Sequence, residues 1–380
     1  MANTIKLGNG NWATKEGSLL AYNDENNNFK PLPFTTTRAS SATVVNKQGL
    51  IETVGSGIPR IDFSDDANGA LLLEPTATNL IAYSEDFSDS SWSQAGDTVV
   101  LGGFLSPDGT NNAYKVSGTI SALTSNYNTL DSLTHSRTIY AKTVSGSGLL
   151  HLCSHNSNAD SLFTITEEWQ RFEVNGYNAT GSNNFYGVDF RGSSTLTEVL
   201  IWGASAEANS YATSYIKTSG TAQTRVADTA SGSGNSTVIN STEGVLYAEM
   251  SALSDDLTFR RISLSDSTSS NRLSLIYWNE TNKVVFELNS GGVQQVFLQF
   301  TLPSEVDFNK IAVKYKDNDF ALWVNGVEVG TDIIGSSAIG LSTLNFDSGV
   351  SSQPFYGKTK SVQVYNTALS DAELISLTTI

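Results

Sequence analysis

Residues 314–330, KYKDNDFALWVNGVEVG, limit the fold of this chain more than any other stretch. Apolar and polar residues alternate through them, as they do on the two faces of a β-strand. Asn325 and Gly326 separate two such runs, and a two-residue type I′ turn requires the positive φ that these residue types tolerate. The segment therefore predicts two successive β-hairpins, and no residue in it resembles a nucleophile, a base or a phosphate-binding loop.

The amino-acid composition extends this prediction to the whole chain of 380 residues. Hydrophobic residues make up 39% and charged residues only 16%, with 31 glycines against 7 prolines. This mixture suits short strands joined by tight turns better than helices, which favour Ala, Leu, Glu and Lys. We therefore predict an all-β protein. One helix is expected near the C-terminus, where Ser370 and Glu373 have the spacing of a capping box.

Charge and cysteine content exclude several partners. The net charge of −16 repels the phosphates of DNA and RNA, so we expect no nucleic-acid partner. No run of 18 apolar residues occurs, and the N-terminus lacks the basic and apolar regions of a signal peptide, so we expect no membrane insertion. The single cysteine, Cys153, cannot form an internal disulfide, so packing alone must hold the fold.

Changes in composition and in the spacing of apolar residues along the sequence predict three regions and a linker. Residues 1–78 are irregular and too poor in apolar residues for a core of their own, so we predict a small irregular β region for attachment or docking. Residues 79–228 carry short strands at intervals of about 8–12 residues, which is typical of a jelly-roll sandwich. Residues 229–243 are rich in Gly and Ser and predict a linker. Residues 244–380 predict a second sandwich.

Two tracts have related, extended sequences. TTTRASSATVV covers residues 35–45, and TAQTRVADTA covers residues 221–230. Both are predicted to pair with edge strands of a neighbouring chain, and plain packing between domains is the alternative. The end of the first tract is also expected to form a hairpin with the segment around residues 50–54, with Gly49 at a positive φ.

Several of these segments resemble known families. Residues 244–380 resemble concanavalin A-like, laminin-G-type sandwiches through NKIAVKYKDNDFALWVNGVEVG and GKTKSVQVYNTALSDAEL. Residues 79–228 are similar to jelly-roll carbohydrate-binding modules through NLIAYSEDFSDSSW and EEWQRFEV. Three segments resemble parts of bacteriophage virion proteins of the fibre, tail or capsid-decorating type. They are FTTTRASSATVVNKQGLIETVGSGIPRIDF, LLLEPTATNLIAYSEDFSDSSW and IWGASAEANSYATSYIKTSGTAQTRVADTA.

The phage resemblance implies a location and partners. It implies a virion structural protein that is made in the host cytoplasm and acts outside the cell, on the head or the tail of the particle. It also implies a homo-oligomer, with a trimer favoured, and binding to other virion proteins through the N-terminal region.

The residues do not predict an enzyme. On a strand, His151, Cys153 and His155 would share one face, which suggests metal binding, but no CxxC motif supplies further ligands and ordinary strand side chains are favoured. Neighbouring acids such as Glu167 and Glu168 point to opposite faces of a strand, so they cannot flank one glycosidic bond. A catalytic pair formed by acids from distant segments of the chain stays an open alternative.

The family resemblance implies calcium as the one cofactor to consider. Asp317, Asn318 and Asp319 would supply a loop of hard oxygen ligands, and Glu85 with Asp86 opens the jelly roll. Calcium takes about six to eight oxygen ligands, whereas turns are rich in Asp and Asn for conformational reasons alone. The sequence favours the turn interpretation for both sets.

Glycan binding is the chemistry that the residues favour. Sugars stack their apolar C–H faces on aromatic rings and require fixed polar partners for their hydroxyls. Trp92, Tyr127 and Tyr186 lie in polar, turn-rich surroundings, so we predict that they are exposed and bind glycans, with partial burial at a sandwich edge as the alternative. Other tryptophans lie inside strands and are predicted to be in the core: Trp169, Trp202 and Trp323.

One hypothesis and two alternatives follow. We predict a phage virion protein whose weak glycan-binding modules adhere, through many copies on one particle, to host or environmental surface polysaccharide. A purely architectural decoration protein without sugar binding is the first alternative, and a polysaccharide-degrading enzyme is the second. Arg260 and Arg261 could face an acidic polysaccharide, although an exposed pair on a strand is the simpler interpretation.

Overall fold

The computed structural model describes all residues except 1–3, 11, 13, 16–17, 23–30, 127–133 and 179–183. The strands, in chain order, are β1 Ile5–Gly8, β2 Thr14–Lys15, β3 Ser18–Tyr22, β4 Pro31–Pro33, β5 Thr35–Thr37, β6 Ala42–Val45, β7 Ile51–Val54, β8 Ile61–Asp62, β9 Ala70–Leu73, β10 Ala77–Asn79, β11 Trp92–Gln94, β12 Val99–Phe104, β13 Ala113–Ser117, β14 Ala122–Asn126, β15 Thr134–Lys142, β16 Gly148–Leu152, β17 Leu162–Ile165, β18 Gln170–Asn178, β19 Asn184–Asp189, β20 Glu198–Glu207, β21 Gln223–Arg225, β22 Thr229–Ser231, β23 Glu243–Ala252, β24 Arg260–Ser265, β25 Arg272–Tyr277, β26 Lys283–Ser290, β27 Val293–Thr301, β28 Asn309–Lys316, β29 Phe320–Val324, β30 Val327–Asp332, β31 Thr343–Asn345 and β32 Gly357–Tyr365. A 3-10 turn spans Ala159–Ser161, and the α-helix α1 spans Asp371–Thr378.

The chain divides into two compact units, each assembled from separate segments. Unit 1 consists of residues 1–39, 55–75 and 227–380, and unit 2 consists of residues 40–54 and 76–226. The strands of each unit form antiparallel sheets that pack as sandwiches, so the predicted all-β class with two sandwiches is confirmed. The division itself differs from the predicted boundaries, since N-terminal segments belong to both units.

Unit 1 is a sandwich of two antiparallel sheets. The larger sheet runs β2-β3-β1-β32-β23-β28-β29-β30 with β4, β8 and β9 attached, and the smaller sheet runs β27-β26-β25-β24-β31. Alternate residues of both sheets, such as Ile262 on β24 and Ile311 on β28, are fully buried in one core. Both predicted hairpins are present, and φ is 49° at Asn325 and 85° at Gly326. The capping box at the start of α1 is also present.

The N-terminal strands complete this sandwich. β1 pairs with β32, and β9 pairs with another part of the same strand. Ile5, Leu7 and Phe34 are buried in the core of unit 1. Residues 1–78 therefore do not form a separate region, and their docking to other proteins stays a prediction. Because they are poor in apolar residues, these strands are stable only as additions to a larger sheet.

Residues 229–243 are also part of unit 1 and do not form the predicted linker. β22 pairs with β5, and Val238 and Ile239 are buried in the core. Gly234 has a φ of 93°, and a Cβ atom placed on it would lie 2.9 Å from a carbon of Ile239 and 3.0 Å from one of Ile5. Gly234 therefore permits close packing of this segment instead of flexibility.

The two related tracts pair with each other. Thr35–Thr37 of the first form β5, and Thr229–Ser231, which includes the end of the second, form β22. The hydrogen bonds between these strands are thus made within the chain. Binding of either tract to a neighbouring chain stays a prediction.

Unit 2 is a second antiparallel sandwich, with sheets β11-β14-β19-β16-β17 and β12-β13-β20-β15-β18. Its core includes Leu123 and Ile201. β20 is buried along nearly its whole length, because a second apolar cluster that includes Trp202 and Tyr215 packs there as well. The predicted hairpin of β6 and β7 is present, with Gly49 at a φ of 78°.

Two arginines and two carboxylates are buried together in unit 1. Arg38 donates from Nη1 to Asp228 Oδ1 at 2.8 Å, and Arg60 donates to Glu74 Oε2 at 2.6 Å and to Asp228 Oδ2. No side chain of the four is more than 5% exposed. Burial alone would lower the pKa of Arg60, but Glu74 and Asp228 raise it, so the guanidinium stays charged. We call these four residues the charge cluster.

We expect Asp228→Ala to destabilise the protein strongly, since it leaves two buried guanidinium groups short of a counter-charge. Removing one partner of a buried pair costs about 3–5 kcal/mol in free energy of unfolding, which urea denaturation measures. Lys316→Ala is the matched control, because the Lys316–Glu243 pair is 53% and 30% exposed. Its loss should cost about 1 kcal/mol or less. Equal losses for the two variants would contradict the role of the charge cluster.

Candidate functional site

The smaller sheet of unit 1 has one apolar face in the core and a second face that carries aromatic and polar residues. Strand pairing places Arg261 opposite Ile276, and it places Glu287 opposite Phe297. Because side chains alternate along each strand, residues two positions from these share their face. We call this surface the outer face and define it by Phe259, Arg261, Arg272, Ser274, Trp278, Glu287, Asn289 and Phe297.

Three aromatic rings form a row across the outer face. The ring centroids of Phe259 and Trp278 are 4.6 Å apart, and those of Trp278 and Phe297 are 5.3 Å apart, both in edge-to-face geometry. Phe297 is 37% exposed, and the other two rings are partly exposed. The guanidinium carbon of Arg261 lies 5.9 Å from the Phe259 centroid. The row thus presents apolar surface to solvent next to charged groups.

Glu287 is the centre of the polar part of the outer face. It accepts hydrogen bonds from Arg261 Nη1 at 2.7 Å, Arg272 Nη2 at 3.3 Å and Asn289 Nδ2 at 2.6 Å. Burial alone would raise the pKa of Glu287, but Arg261, Asn289 and Arg272 hold it below its ordinary value. The carboxylate therefore stays ionised and fixes the orientation of three donor side chains.

The segment of residues 346–356 crosses the outer face and fixes it further. Ser263 Oγ donates to the carbonyl of Asp347 at 2.7 Å, Arg272 Nη1 donates to the carbonyl of Ser348 at 3.1 Å, and Arg261 Nε donates to Gln353. Gln353 has a φ of 51°, a conformation that a non-glycine residue keeps only when its surroundings enforce it. The polar groups of the outer face are thus preorganised.

This arrangement has the chemistry of a carbohydrate site. A sugar ring can lay its C–H face on an exposed aromatic ring while its hydroxyls bond to fixed polar groups at the edge. The partly exposed side chains of Arg272, Asn289 and Gln353 supply such groups. Within the described residues, Ser274 Oγ and Arg272 Nε are buried polar atoms with no hydrogen-bond partner in the protein.

The structure buries one of the residues that the sequence predicts to bind glycans and leaves another at the surface. Trp92 is only 3% exposed and lies in the core of unit 2, where its ring is 4.8 Å from that of Phe87 and its Nε1 donates to the carbonyl of Tyr83. The prediction of an exposed Trp92 is therefore wrong, because the indole fills the space between the two sheets. Tyr127 lies outside the described residues. Among the tryptophans predicted to be core, Trp202 and Trp323 are buried, and Trp169 is partly buried.

Tyr186 lies on the surface of unit 2 and is partly buried. Its ring is 5.1 Å from that of His155 and 5.8 Å from the guanidinium carbon of Arg191. Arg191 is held in turn by two hydrogen bonds of 2.8 Å to the buried carboxylate of Asp189. Tyr186 is thus a single aromatic residue beside a fixed cation, and it belongs to a different unit from the outer face.

The predicted calcium ligands form a turn whose oxygens already have donors. Asp319 pairs with Lys314 at 2.6 Å, Asp317 accepts from the backbone N–H of Ser337, and Asn318 accepts from the N–H of Gly335. These contacts are those of a turn held by its own side chains, which is the interpretation that the sequence favours. In the described part of the chain, no group of three or more His, Cys, Asp or Glu residues is arranged to hold a metal.

The histidines near Cys153 do not form a site either. β16 ends at Leu152 and Cys153 has a φ of 65°, so the alternation that would align His151, Cys153 and His155 is broken. His151 bonds to Ser161 and His155 bonds to Ser157. Burial raises the pKa of the Cys153 thiol, which keeps it protonated and unreactive.

Comparisons with known proteins agree with this architecture in part of the chain. Residues 247–375 match the concanavalin A-like lectin/glucanases superfamily. This part of unit 1 therefore has the fold of a concanavalin A-like, laminin-G-like sandwich, as the sequence predicts. A search of curated proteins found no similar sequence. Among the described residues, no helix is long and apolar enough to cross a membrane.

Several solved structures are similar over part of the chain. The CBM40 module of Ruminococcus gnavus IT-sialidase, bound to α2,3-sialyllactose, is 22% identical over 40% of this chain and 94% of its own, with a TM-score of 0.33. The leech intramolecular trans-sialidase is 22% identical over 40% of this chain and 26% of its own, with a TM-score of 0.31. A galectin of Caenorhabditis elegans is 17% identical over 33% of this chain and 83% of its own, with a TM-score of 0.26.

Sequence reasoning found one member of the outer face and missed the others. Arg261 was a candidate for binding an acidic polysaccharide, and the structure pairs it with Glu287 while its neighbour Arg260 points to the opposite side of β24. The aromatic row has a signal in the sequence, since Phe297 occupies a solvent position of the alternating strand β27 and Trp278 directly follows β25. An aromatic residue at a solvent position of an alternating strand indicates a binding surface better than an aromatic residue in a polar turn does.

We expect Glu287→Gln to lower stability at neutral pH by about 2 kcal/mol, because it removes the charge between two arginines. The pKa of Glu287 is lowered in the folded protein, so the stability it supplies exists above the ordinary glutamate pKa and disappears as the pH falls. The difference between wild type and variant in urea denaturation should therefore shrink in acid. Glu280→Gln, at a side chain 60% exposed, is the control and should show little effect at any pH.

Proposed function

We propose that this protein is a bacteriophage adhesion protein that binds glycans through the outer face of unit 1. The observation that carries this proposal is the row of Phe259, Trp278 and Phe297, partly exposed beside polar groups that are fixed in orientation. A sugar ring stacks on Trp278 or Phe297, and its hydroxyls bond to Arg272 and Asn289 at the edge of the row.

The three phage-like sequence segments support placement on a virion. In this proposal the protein is made in the host cytoplasm and acts outside the cell as a head or tail component. It assembles as a homo-oligomer, with a trimer favoured, and the N-terminal region contacts other virion proteins. A shallow site gives weak binding, and many copies on one particle convert it into stable adhesion to surface polysaccharide.

Binding without hydrolysis is part of the proposal. Glu287, the carboxylate in the middle of the outer face, is held ionised by two arginines and an amide. A glycosidase requires a protonated acid and a second carboxylate on opposite sides of the bond, and an ionised Glu287 cannot act as that acid. In this proposal, Glu287 holds in place the donor side chains that bind the sugar.

We expect Trp278→Ala and Phe297→Ala to weaken glycan binding about tenfold or more, since each removes a stacking surface at the centre of the site. The measurement is a glycan array probed with the full chain clustered on beads, followed by titration with any glycan that binds. Phe308→Ala is the matched control, because this ring is also partly buried in unit 1 but lies under Lys360, outside the outer face.

The same experiment separates the alternatives. If the wild-type protein binds no glycan even when clustered, the purely architectural role is favoured and the proposal fails. Release of reducing sugar from bacterial capsule would favour the enzyme. Absence of the chain from purified particles of the phage that encodes it, or from their density map, would contradict the virion location.

A further inference from the structure

A line of exposed apolar residues follows β12, the strand at one edge of the sheet β12-β13-β20-β15-β18 of unit 2. Val99 and Leu101 on β12 and Leu105 just beyond its end are each more than half exposed to solvent. Ile120 and Leu50, which are also exposed, lie beside the two ends of the strand. We call these five residues the apolar stripe. A strand of this length places its ends about 20 Å apart, so the stripe covers one whole edge of the sheet.

Contacts in the surrounding loops place the two outer members of the stripe. The carbonyl oxygen of Ile120 lies 3.7 Å from the position that a Cβ atom on Gly96, just before β12, would take. Leu50 Cδ1 lies 3.3 Å from the position of a Cβ atom on Gly109, in the turn that follows β12. Both residues therefore extend the line of exposed apolar side chains beyond the strand itself.

The edge along the stripe has little protection against other chains. Within the described residues, β12 pairs with β13 and with no strand on its other side. Proteins usually protect such an edge with lysine, proline or inward-pointing charges, and residues 98–106, TVVLGGFLS, contain no charged residue and no proline. The register shift at Gly103 is a further protective device, but it lies near the end of the strand. An apolar, uncharged edge of this kind is typical of a surface that another chain covers.

The charges of the protein favour a second copy of the chain as that partner. A net charge of −16 makes copies repel each other over most of their surface. In a symmetric oligomer, residues near the axis face their own copies, so a charged residue there would face an equal charge. The apolar stripe carries no such charge, and Lys115 beside it is paired with Glu198 at 3.3 Å. A partner of different sequence would instead gain from contacts with the many acidic residues, and the stripe offers none.

We propose that copies of this chain associate through the apolar stripe, so that Val99 and Leu101 lie against the same residues of a second copy near the symmetry axis. The stripe then supplies the contact surface of the homo-oligomer. Only the adhesive use of this oligomer rests on the proposed function, because association can be measured without any glycan.

The first experiment measures the mass of the full chain in solution by sedimentation velocity and light scattering over a range of concentrations. We expect the wild type to associate, and we expect Val99→Glu and Leu101→Glu each to weaken association at least about tenfold, since each brings like charges together. Val327→Glu is the matched control, because Val327 is also a strand residue and, like Val99, is 59% exposed, but it lies in unit 1. It should associate as the wild type does. A monomeric wild type, or association that both β12 variants leave unchanged, would overturn the proposal.

A mixing experiment tests whether Leu101 meets its own copy, and it also shows that the variants fold. Leu101→Lys alone should associate as weakly as Leu101→Glu, because it too brings like charges together. An equal mixture of the two variants should regain association at low salt and lose it as the salt concentration rises, since opposite charges then face each other. A mixture that stays monomeric would contradict the symmetric contact and favour a different protein as the partner of the stripe.

A binding measurement separates this inference from the proposed function. The affinity of Val99→Glu for a free glycan should equal that of the wild type, because the outer face lies in unit 1. Its retention on a surface densely coated with the same glycan should fall at least about tenfold, since a monomer has lost avidity. Equal retention would contradict the adhesive use of the oligomer. Failure of the wild type to bind any glycan would refute the proposed function and leave the association result decisive for the stripe.

Discussion

Unit 1 depends on a small group of buried charges. The charge cluster joins Arg38, Arg60, Glu74 and Asp228, which come from three separate parts of the sequence. Each lies within about six residues of a point where the chain passes from one unit to the other. Apolar packing is non-directional and tolerates small shifts between strands, whereas four charges in contact admit few arrangements. The cluster thus sets where β5, β9 and β22 join the sandwich.

The sequence contained enough information for the fold class but not for the division into units. Alternation and turn residues predicted the hairpin at Asn325 and Gly326, since these effects act between neighbours along the chain. The assignment of β1 and β9 to β32 depends on contacts across about 290 or more residues, which no local pattern encodes. Gly234 shows the same limit: a glycine in a Ser-rich stretch predicts flexibility, and only the approach of Ile5 and Ile239 reveals that it serves packing.

The candidate site shows why exposed aromatics are hard to recognise in a β protein. Trp92 lies in a polar, turn-rich stretch, yet its indole is the kind of large apolar group that a sandwich core requires. Phe297 lies in a strand that reads as amphipathic, and its position opposite Glu287 places it on the solvent side. The composition of the surrounding stretch therefore misleads, and the parity of a residue relative to its buried neighbours decides on which face of the sheet it lies.

Two consecutive arginines show that neighbouring residues of a strand can serve stability on one face and ligand binding on the other. Arg260 turns to one side of β24, where it is buried beside Asp256 and Glu305, and Arg261 turns to the other side, where Glu287 holds it within the outer face. Two neighbouring residues of one type thus serve two purposes, because the alternation of the strand sends Arg260 into the protein and places Arg261 on the face beside the aromatic row.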